Sequence, residues 1–449
     1  MIKLINSDVM DGLKSLPDAS VHTVCTSPPY WALRDYGLPP KTWDDGWIGV
    51  LGQEPSIHLF IQHLVEIFEE AKRVLHPTGT LWLNLGNSYA HAGPQPSTGI
   101  HKRNAVPLPN DYKREKLFQS KKQLSMLPAR VALAMQDAGW VLRSEIVWAK
   151  GLSFCDTYSG SVMPESIRDR PCSAHEMVYL FSKQDAYYYD IEGCREPYAE
   201  STLKQAKDGY DGLATKDYDT ALAQNPSDTK RRIIQAVRRR QEQGLTPGGA
   251  SERRYTGFND QYNRNPPAGV GRNLRDVWVI PKEPLKESHF AAWPTKLVEP
   301  MIRLGTSDYG VCPQCATPWT RNLVKEPVPA DIQQQFEAAR VATTRDTGRT
   351  DGHTQRKPNY RRKVLGEGWL PGCSCEQNEP VPATVLDPFA GSSRTGVVAQ
   401  RLGRNYIGID ANPSYCKIGE KLLGLETHAE REDSGSGPVE MSGAPAGGQ

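Results

Sequence analysis

No stretch of this sequence approaches the roughly 20 consecutive apolar residues that a membrane-spanning helix needs. Nor does it open on the basic, apolar and small-residue succession of a secretory leader; Met1-Ile2-Lys3-Leu4-Ile5-Asn6 runs straight into a strand pattern. A cytoplasmic protein without a membrane partner is therefore expected. An excess of charge of one sign is missing too. Over 449 residues the formal balance is +2, so any polyanion contact must come from local clusters. Cysteine is sparse, at nine residues, and disulfides are rare in the expected compartment. Those thiols are then buried small side chains or metal ligands.

What is present is an alternation of short apolar runs and helical periodicities. Strand patterns cover Ile2 to Ile5, Val21 to Cys25 and Thr80 to Leu85, with helical spacing over Val9 to Leu16 and Ile57 to Leu75. This β-α-β-α-β order predicts an α/β protein with a mostly parallel sheet. Asp35 to Pro55, rich in Gly, Pro and Trp, reads as an irregular ordered loop. Helix Leu127 to Ala138 and strands Trp140 to Trp148 and Glu176 to Phe181 follow, with Tyr187-Tyr188-Tyr189 as an aromatic edge or hairpin. The regular pattern fades from about 191 to 280. It returns at helix Trp293 to Leu304, and again at strand Thr384 to Leu386, helix Val397 to Leu402, strand Tyr406 to Ile409 and helix Ser414 to Leu423.

Two stretches at opposite ends of the chain carry chemistry. Thr26-Ser27-Pro28-Pro29-Tyr30-Trp31 follows an apolar strand, and its consecutive prolines stiffen a loop at the strand's carboxyl end, where open α/β sheets place their sites. A hydroxyl, carbonyls and an aromatic plane converge there, a combination suited to a planar amine-bearing ring. Asp387-Pro388-Phe389-Ala390-Gly391-Ser392-Ser393 lies between a strand and a helix, and Asp410 ends the next strand. An acid roughly 20 residues beyond such a turn is placed to bind ribose hydroxyls. The turn has neither G-x-G-x-x-G nor a P-loop lysine, which disfavours a pyrophosphate ligand.

Together the two stretches resemble the S-adenosylmethionine-dependent DNA amino-methyltransferases of the β group, in which the catalytic motif precedes the cofactor motif. Asn6-Ser7-Asp8, Glu176 to Lys183, Arg272 to Val279 and His289 to Leu297 agree with that family. The resemblance implies a Rossmann-like methyltransferase with a mostly parallel mixed sheet, a permuted motif order and an inserted target-recognition region. It implies catalysis by Ser27, Pro28, Pro29 and Tyr30 on a base flipped out of double-stranded DNA. By the same resemblance, Asp410 takes the ribose, Asp8 lies near the adenine, and Asp387, Phe389 and Gly391 shape the methionine pocket, closed by Thr295 and Leu297, with Ser392 also binding the cofactor. The chain departs from the family at Ser393 and Arg394, where glycine and a small polar residue are usual. Serine at position 27 favours the 4-amino group of cytosine, with the 6-amino group of adenine as the alternative. Pro171-Cys172 lacks the companion motifs of a carbon-5 cytosine methylase, and Asn-Pro-Pro-Tyr, the mark of protein-glutamine methylation, is absent.

Cys312-x-x-Cys315 and Cys373-x-Cys375 flank a polar insertion, and four thiolates suit a structural zinc ion, with four reduced thiols as the alternative. Lys230, Arg231, Arg232, Arg238, Arg239 and Arg240 form a basic cluster. It is either a solvated helix face or, given the resemblance, the phosphate-contacting part of target recognition. The organisation expected is a catalytic half over 1–190, with a mobile loop at about 91–122, and a DNA-binding region over 191–280. The core then resumes over 281–310, the cysteine-flanked insertion spans 311–375, the cofactor half spans 376–425, and 426–449 is a disordered tail. A cognate restriction endonuclease is a possible partner. A zinc-containing DNA-binding protein with a degenerate methyltransferase core is the non-enzymatic alternative.

Overall fold

A computed structural model describes residues 1–31, 35–89, 122–160, 162, 165–197, 272–283, 293–327, 360–376 and 379–425. The strands are β1 (Ile2–Asn6), β2 (Val21–Thr26), β3 (Lys41–Thr42), β4 (Ile48–Gly49), β5 (Leu75–Leu85), β6 (Val141–Ala149), β7 (His175–Ser182), β8 (Val277–Val279), β9 (Thr320–Pro327), β10 (Tyr360–Leu370), β11 (Thr384–Asp387) and β12 (Asn405–Asp410). The helices are α1 (Val9–Lys14), α2 (Ile57–Val74), α3 (Leu127–Asp137), α4 (Thr295–Gly305), α5 (Arg394–Arg401) and α6 (Pro413–Leu423). Among the described residues no helix is long and apolar enough to cross a membrane. The basic cluster Lys230 to Arg240, nearly all of the expected mobile loop and the 426–449 tail lie outside the described residues.

The chain forms two compact units. One comprises Met1–Gly193, Arg275–Thr320 and Trp369–Gln449; the other comprises Cys194–Leu274 and Arg321–Gly368. In the second, Glu196 and Arg272 exchange backbone hydrogen bonds of 2.8 and 2.9 Å and pair through their side chains at 2.7 Å. Most of β9 and β10, which form a two-stranded sheet, also belongs to it.

The first unit is built on an eight-stranded sheet in the order β1-β12-β11-β2-β5-β7-β6-β8. β1, β12, β11, β2 and β5 are parallel; β7 is antiparallel to both β5 and β6, and β8 is parallel to β6. Every strand of this sheet except β7 therefore runs one way, as the Rossmann-like reading requires. β2 and β11 are buried along their whole length and show no alternation, because helices cover both faces. Residues of α1, α2 and α3 form one core with Val24, Leu386, Ile407 and Ile409. α4, α5 and α6 pack in succession elsewhere, burying Leu297, Val298, Ile302 and Val398.

α2 shows why local sequence suffices for the scaffold. Ser56 caps it by accepting from Leu59 N at 3.2 Å, and Ile57, Phe60, Leu64, Ile67, Phe68 and Ala71 recur at helical spacing and are fully buried. Each such large side chain contributes about 1.5–3 kcal/mol. The helix ends as Leu75 turns extended ahead of Pro77.

The structure departs from the sequence expectation at particular places. β5 begins at Leu75 rather than Thr80, because a register shift opposite Val21 to Thr23 accommodates Pro77. Tyr187 to Tyr189 forms no strand: β7, just before it, already has a partner on each side. Val277–Val279 is an unanticipated edge strand, too short for its alternation to stand out. The Asp35 to Pro55 loop carries the small β3–β4 ladder. α5 starts at Arg394, three residues ahead of expectation, because Ser393 takes the left-handed conformation and turns the chain into the helix.

The contact between α4 and the sheet yields a test. A Cβ on Gly305 would lie 2.6 Å from Thr23 Oγ1 and 2.7 Å from Thr80 Oγ1, which are themselves 3.0 Å apart. Gly305→Ala should destabilise the protein by about 1–3 kcal/mol in denaturant titration; an unchanged midpoint would show that α4 can move away from β2 at no cost.

Candidate active site

Parallel pairing of Val385 with Thr23 and Leu386 with Val24 brings the ends of β2 and β11 side by side. The chain leaves this pair in opposite directions, through β12 to β1 on one side and to β5 on the other. That makes it the switch point at which α/β sheets open a crevice. Thr26 Oγ1 donates to Asp387 Oδ1 at 2.7 Å, joining the two sequence motifs directly. Thr395 Oγ1 donates to Asp387 Oδ2 at 2.6 Å and Phe389 N to Oδ1 at 3.2 Å. Asp387 is 2 % exposed. Burial pushes its carboxyl up to about 6, against the opposing pull of Thr395, Thr26 and the Phe389 amide.

A cleft of about 670 Å³ opens above this junction. Ser27, Pro28, Pro29 and Tyr30 line it on one side, and Asp387, Phe389, Gly391, Ser392 and Asp410 on the other. Ser27 Oγ donates to Asn84 Oδ1 at 3.2 Å. Tyr30 OH donates to Glu176 Oε2 at 2.8 Å and lies 3.2 Å from Asn84 Oδ1, and Glu176 pairs with Lys150. Burial, reinforced by the Glu176 carboxylate, raises the Tyr30 phenol well above its ordinary range, so it stays protonated. The ring fits only because residue 86 is glycine: a Cβ there would sit 2.6 Å from Tyr30 Cε2. Trp31 Nε1 donates to the Glu54 carbonyl at 2.9 Å, and Glu54 is held in turn by His63 at 3.0 Å, which stacks on Trp43.

On the other side, Asp410 Oδ2 accepts from Gly391 N at 2.7 Å and Oδ1 from Asn412 N at 2.8 Å. A carboxylate offers about four acceptor sites, so these two bonds leave Asp410 able to accept from a vicinal diol. Asp387 has no such freedom. Burial raises the Asp410 carboxyl, and the Asn412 and Gly391 amides oppose it. Asp8 lines the cleft as the cap of α1, accepting from Met10 N at 3.0 Å and pairing with Lys41 at 2.6 Å. Thr295 and Leu297 do not line the cleft. Leu297 is fully buried, and Thr295 is bonded to Glu283, donating to its Oε2 from N at 2.7 Å and from Oγ1 at 3.0 Å. Ser393 has φ 59°, the left-handed region in which glycine is at ease, so the departure at this position carries strain of order 1 kcal/mol. Arg394, 6 % exposed, turns into the cleft wall beside Glu283.

Comparison with known proteins settles the family. A family model described as DNA methylase matches residues 21–312 and 376–421. The chain belongs to this family of DNA methylases. They are the S-adenosylmethionine-dependent amino-methyltransferases acting on cytosine N4 or adenine N6. This methylase is 36 % identical to the Type II methyltransferase M.SmaI of Serratia marcescens, over 94 % of this chain and 90 % of that protein. It is 28 % identical to the Type II methyltransferase M.Cfr9I of Citrobacter freundii, over 95 % and 90 %. Among solved structures it is similar to the PvuII DNA methyltransferase (cytosine-N4-specific), with a TM-score of 0.44 and 15 % identity over 96 % of this chain and 88 % of that one.

The methylase's cleft suits its methyl donor. Asp410 has acceptor sites to spare for a ribose, and Pro388 and Phe389 offer apolar surface for a purine nucleoside. Residues 313–375 fall outside the family match. Their ends carry Cys315, Cys373 and Cys375, which with Cys312 bring four Sγ atoms within 4.8 Å of one another. Cys312 N donates to the Thr317 carbonyl and Ala316 N to the Cys312 carbonyl, each at 2.9 Å, forming a tight knuckle with Ala316 at φ 59°. Its Ala316 carbonyl lies 2.9 Å from His22 Nε2 on β2.

Sequence reasoning did not single out Asn84, Lys150 or Glu283 on the cleft wall, nor the contacts of Glu176 and Arg394. Asn84 had a signal: it is one polar residue inside the apolar run Leu81-Trp82-Leu83-Asn84-Leu85, and it is 1 % exposed.

Asp387 gives the methylase a pH signature. Its folded value, about 6, exceeds the ordinary 3.8, so its contribution to stability is complete below about pH 4 and is lost as pH rises through 6. The effect amounts to at most about 3 kcal/mol. Asp387→Asn removes the titration, so its stability relative to the parent should improve by about 2 kcal/mol between pH 4.5 and 7.5. Parallel melting profiles over this range would contradict the assignment.

Proposed function

We propose that this methylase transfers a methyl group to the exocyclic 4-amino group of cytosine in double-stranded DNA, on a base flipped into the cleft. The observation that carries the reading is the orientation of Ser27. Asn84 Nδ2 donates to the Met177 carbonyl at 3.1 Å, so Oδ1 is the atom turned to Ser27. The Ser27 proton goes to that oxygen, and its lone pairs remain for an incoming amine.

An exocyclic amine is a poor nucleophile because its lone pair is delocalised into the ring. Acceptors aimed at its hydrogens favour the pyramidal form and stabilise the positive charge that develops on nitrogen. Ser27 Oγ and the Pro28 carbonyl would be those acceptors, with Pro29 stiffening the loop and Tyr30 stacking on the base, its hydroxyl tied to Asn84 and Glu176. S-adenosylmethionine, when bound, supplies the electrophilic methyl group. Asp8, Phe389, Gly391, Ser392 and Asp410 would hold it, with Asp387 bracing the turn and Thr295 and Leu297 supporting from behind. Serine rather than an acid or amide at position 27 supports cytosine over adenine. Lys230, Arg231, Arg232, Arg238, Arg239 and Arg240 would contact phosphates. The Type II names of the relatives support a cognate restriction endonuclease as partner.

Incubation with labelled S-adenosylmethionine and mixed-sequence DNA, followed by nucleoside separation, should place the label in N4-methylcytosine. Label in N6-methyladenine would overturn the choice of base, and unlabelled DNA the proposal as a whole. Ser27→Ala should lower kcat by roughly 10²- to 10³-fold while leaving cofactor binding intact.

Cys312, Cys315, Cys373 and Cys375 would hold a structural zinc ion, supported by the mutual approach of their sulfurs. Metal analysis should find about one equivalent in the parent and little in Cys315→Ser or Cys373→Ser; a parent protein with under half an equivalent would remove the claim.

A further inference from the structure

Arg394 opens α5, and its side chain is buried in the cleft wall. A guanidinium this deep is costly to desolvate unless a counter-charge lies beside it. Glu283 supplies that charge: its Oε2 lies 3.0 Å from Arg394 Nη1, as an ion pair. The same oxygen accepts from Thr295 N and Oγ1, which pins the carboxylate at the amino end of α4, where the helix dipole favours it. Glu283 Oε1 takes no part in these bonds. The other cations on the cleft wall are differently placed: Lys41 pairs with Asp8, Lys150 pairs with Glu176, and Lys282 is exposed.

A fixed cation and a fixed anion side by side on one wall match a ligand that presents an anion and a cation on a single carbon. We propose that Arg394 and Glu283 bind the amino-acid end of S-adenosylmethionine, Arg394 taking the α-carboxylate and Glu283 the α-ammonium. Charge alternates round the resulting group of four. The planar guanidinium fork suits a carboxylate, and both new contacts are charge-assisted. Elsewhere the wall carries Asp8 and Asp410, which would repel a carboxylate; the pair thereby fixes the orientation of the ligand along the cleft. The inference rests on the cleft being the cofactor site.

Calorimetric titration of the full-length protein with S-adenosylhomocysteine and with 5′-methylthioadenosine, which lacks the amino-acid end, tests it. Arg394→Met should weaken S-adenosylhomocysteine by roughly 10- to 100-fold and leave 5′-methylthioadenosine within about twofold. The more exposed Glu283→Gln should show the same selectivity to a smaller degree. The ratio of the two affinities within one variant does not depend on the fraction of protein folded. Equal loss for both ligands, or no loss for either, would overturn the zwitterion receptor while leaving the cofactor site standing. Failure of S-adenosylhomocysteine to bind the parent protein would remove the site itself and the inference with it.

Discussion

The hydrogen bond from Thr26 to Asp387 links residues far apart in the chain, deep inside a nearly solvent-free junction. Much of the cleft depends on it. One partner ends the strand that delivers Ser27 and Tyr30; the other begins the turn that leads to Gly391 and Asp410. A carboxylate held this far from water is costly, and three donors offset the cost. Its carboxyl is raised all the same, a sign that compensation is incomplete. The sheet supplies the geometry: because β2 and β11 are parallel neighbours at the switch point, their carboxyl ends open on the same crevice.

Two aspartates on the cleft wall, alike as letters, do different work. Asp387 spends its acceptor capacity inside the protein, on Thr26, Thr395 and the Phe389 amide. Asp410 spends half of its capacity on the Gly391 and Asn412 amides and faces the cleft with the rest. The same division runs through the opposite side of the cleft, around Ser27 and Tyr30. Asn84 faces inward and sets the direction of the Ser27 proton, and Glu176 and Lys150 hold the far side of Tyr30. Nothing in residue type separates a strut from a ligand-facing group; the count of satisfied lone pairs does.

The scaffold was largely legible. α2 announces itself through Ser56 and its buried stripe, and β2 and β11 through short apolar runs. Both motifs stood out because two prolines, an acid and a glycine turn make local demands on the backbone that few other residues meet. Boundaries were less legible. Pro77 suggested a break, yet the strand runs through it on a register shift, and Ser393 starts α5 from a conformation expected of glycine. Leu297 was matched to a pocket it does not line, because a motif position does not reveal which face of a helix is turned to the cavity.

By itself, the sequence determined the alternation of strands and helices, the two motifs and their order, and the cysteine pairs, since each is written in local periodicity, in backbone restriction or in spacing along the chain. Only the tertiary structure decided that Thr26 meets Asp387, that Asn84 turns its oxygen to Ser27, that four cysteines from the two ends of an insertion converge, and that Arg394 lies against Glu283. Those are long-range pairings of polar groups. Sequence carries little trace of them, because such groups need only proximity in space, and only the folded chain provides it.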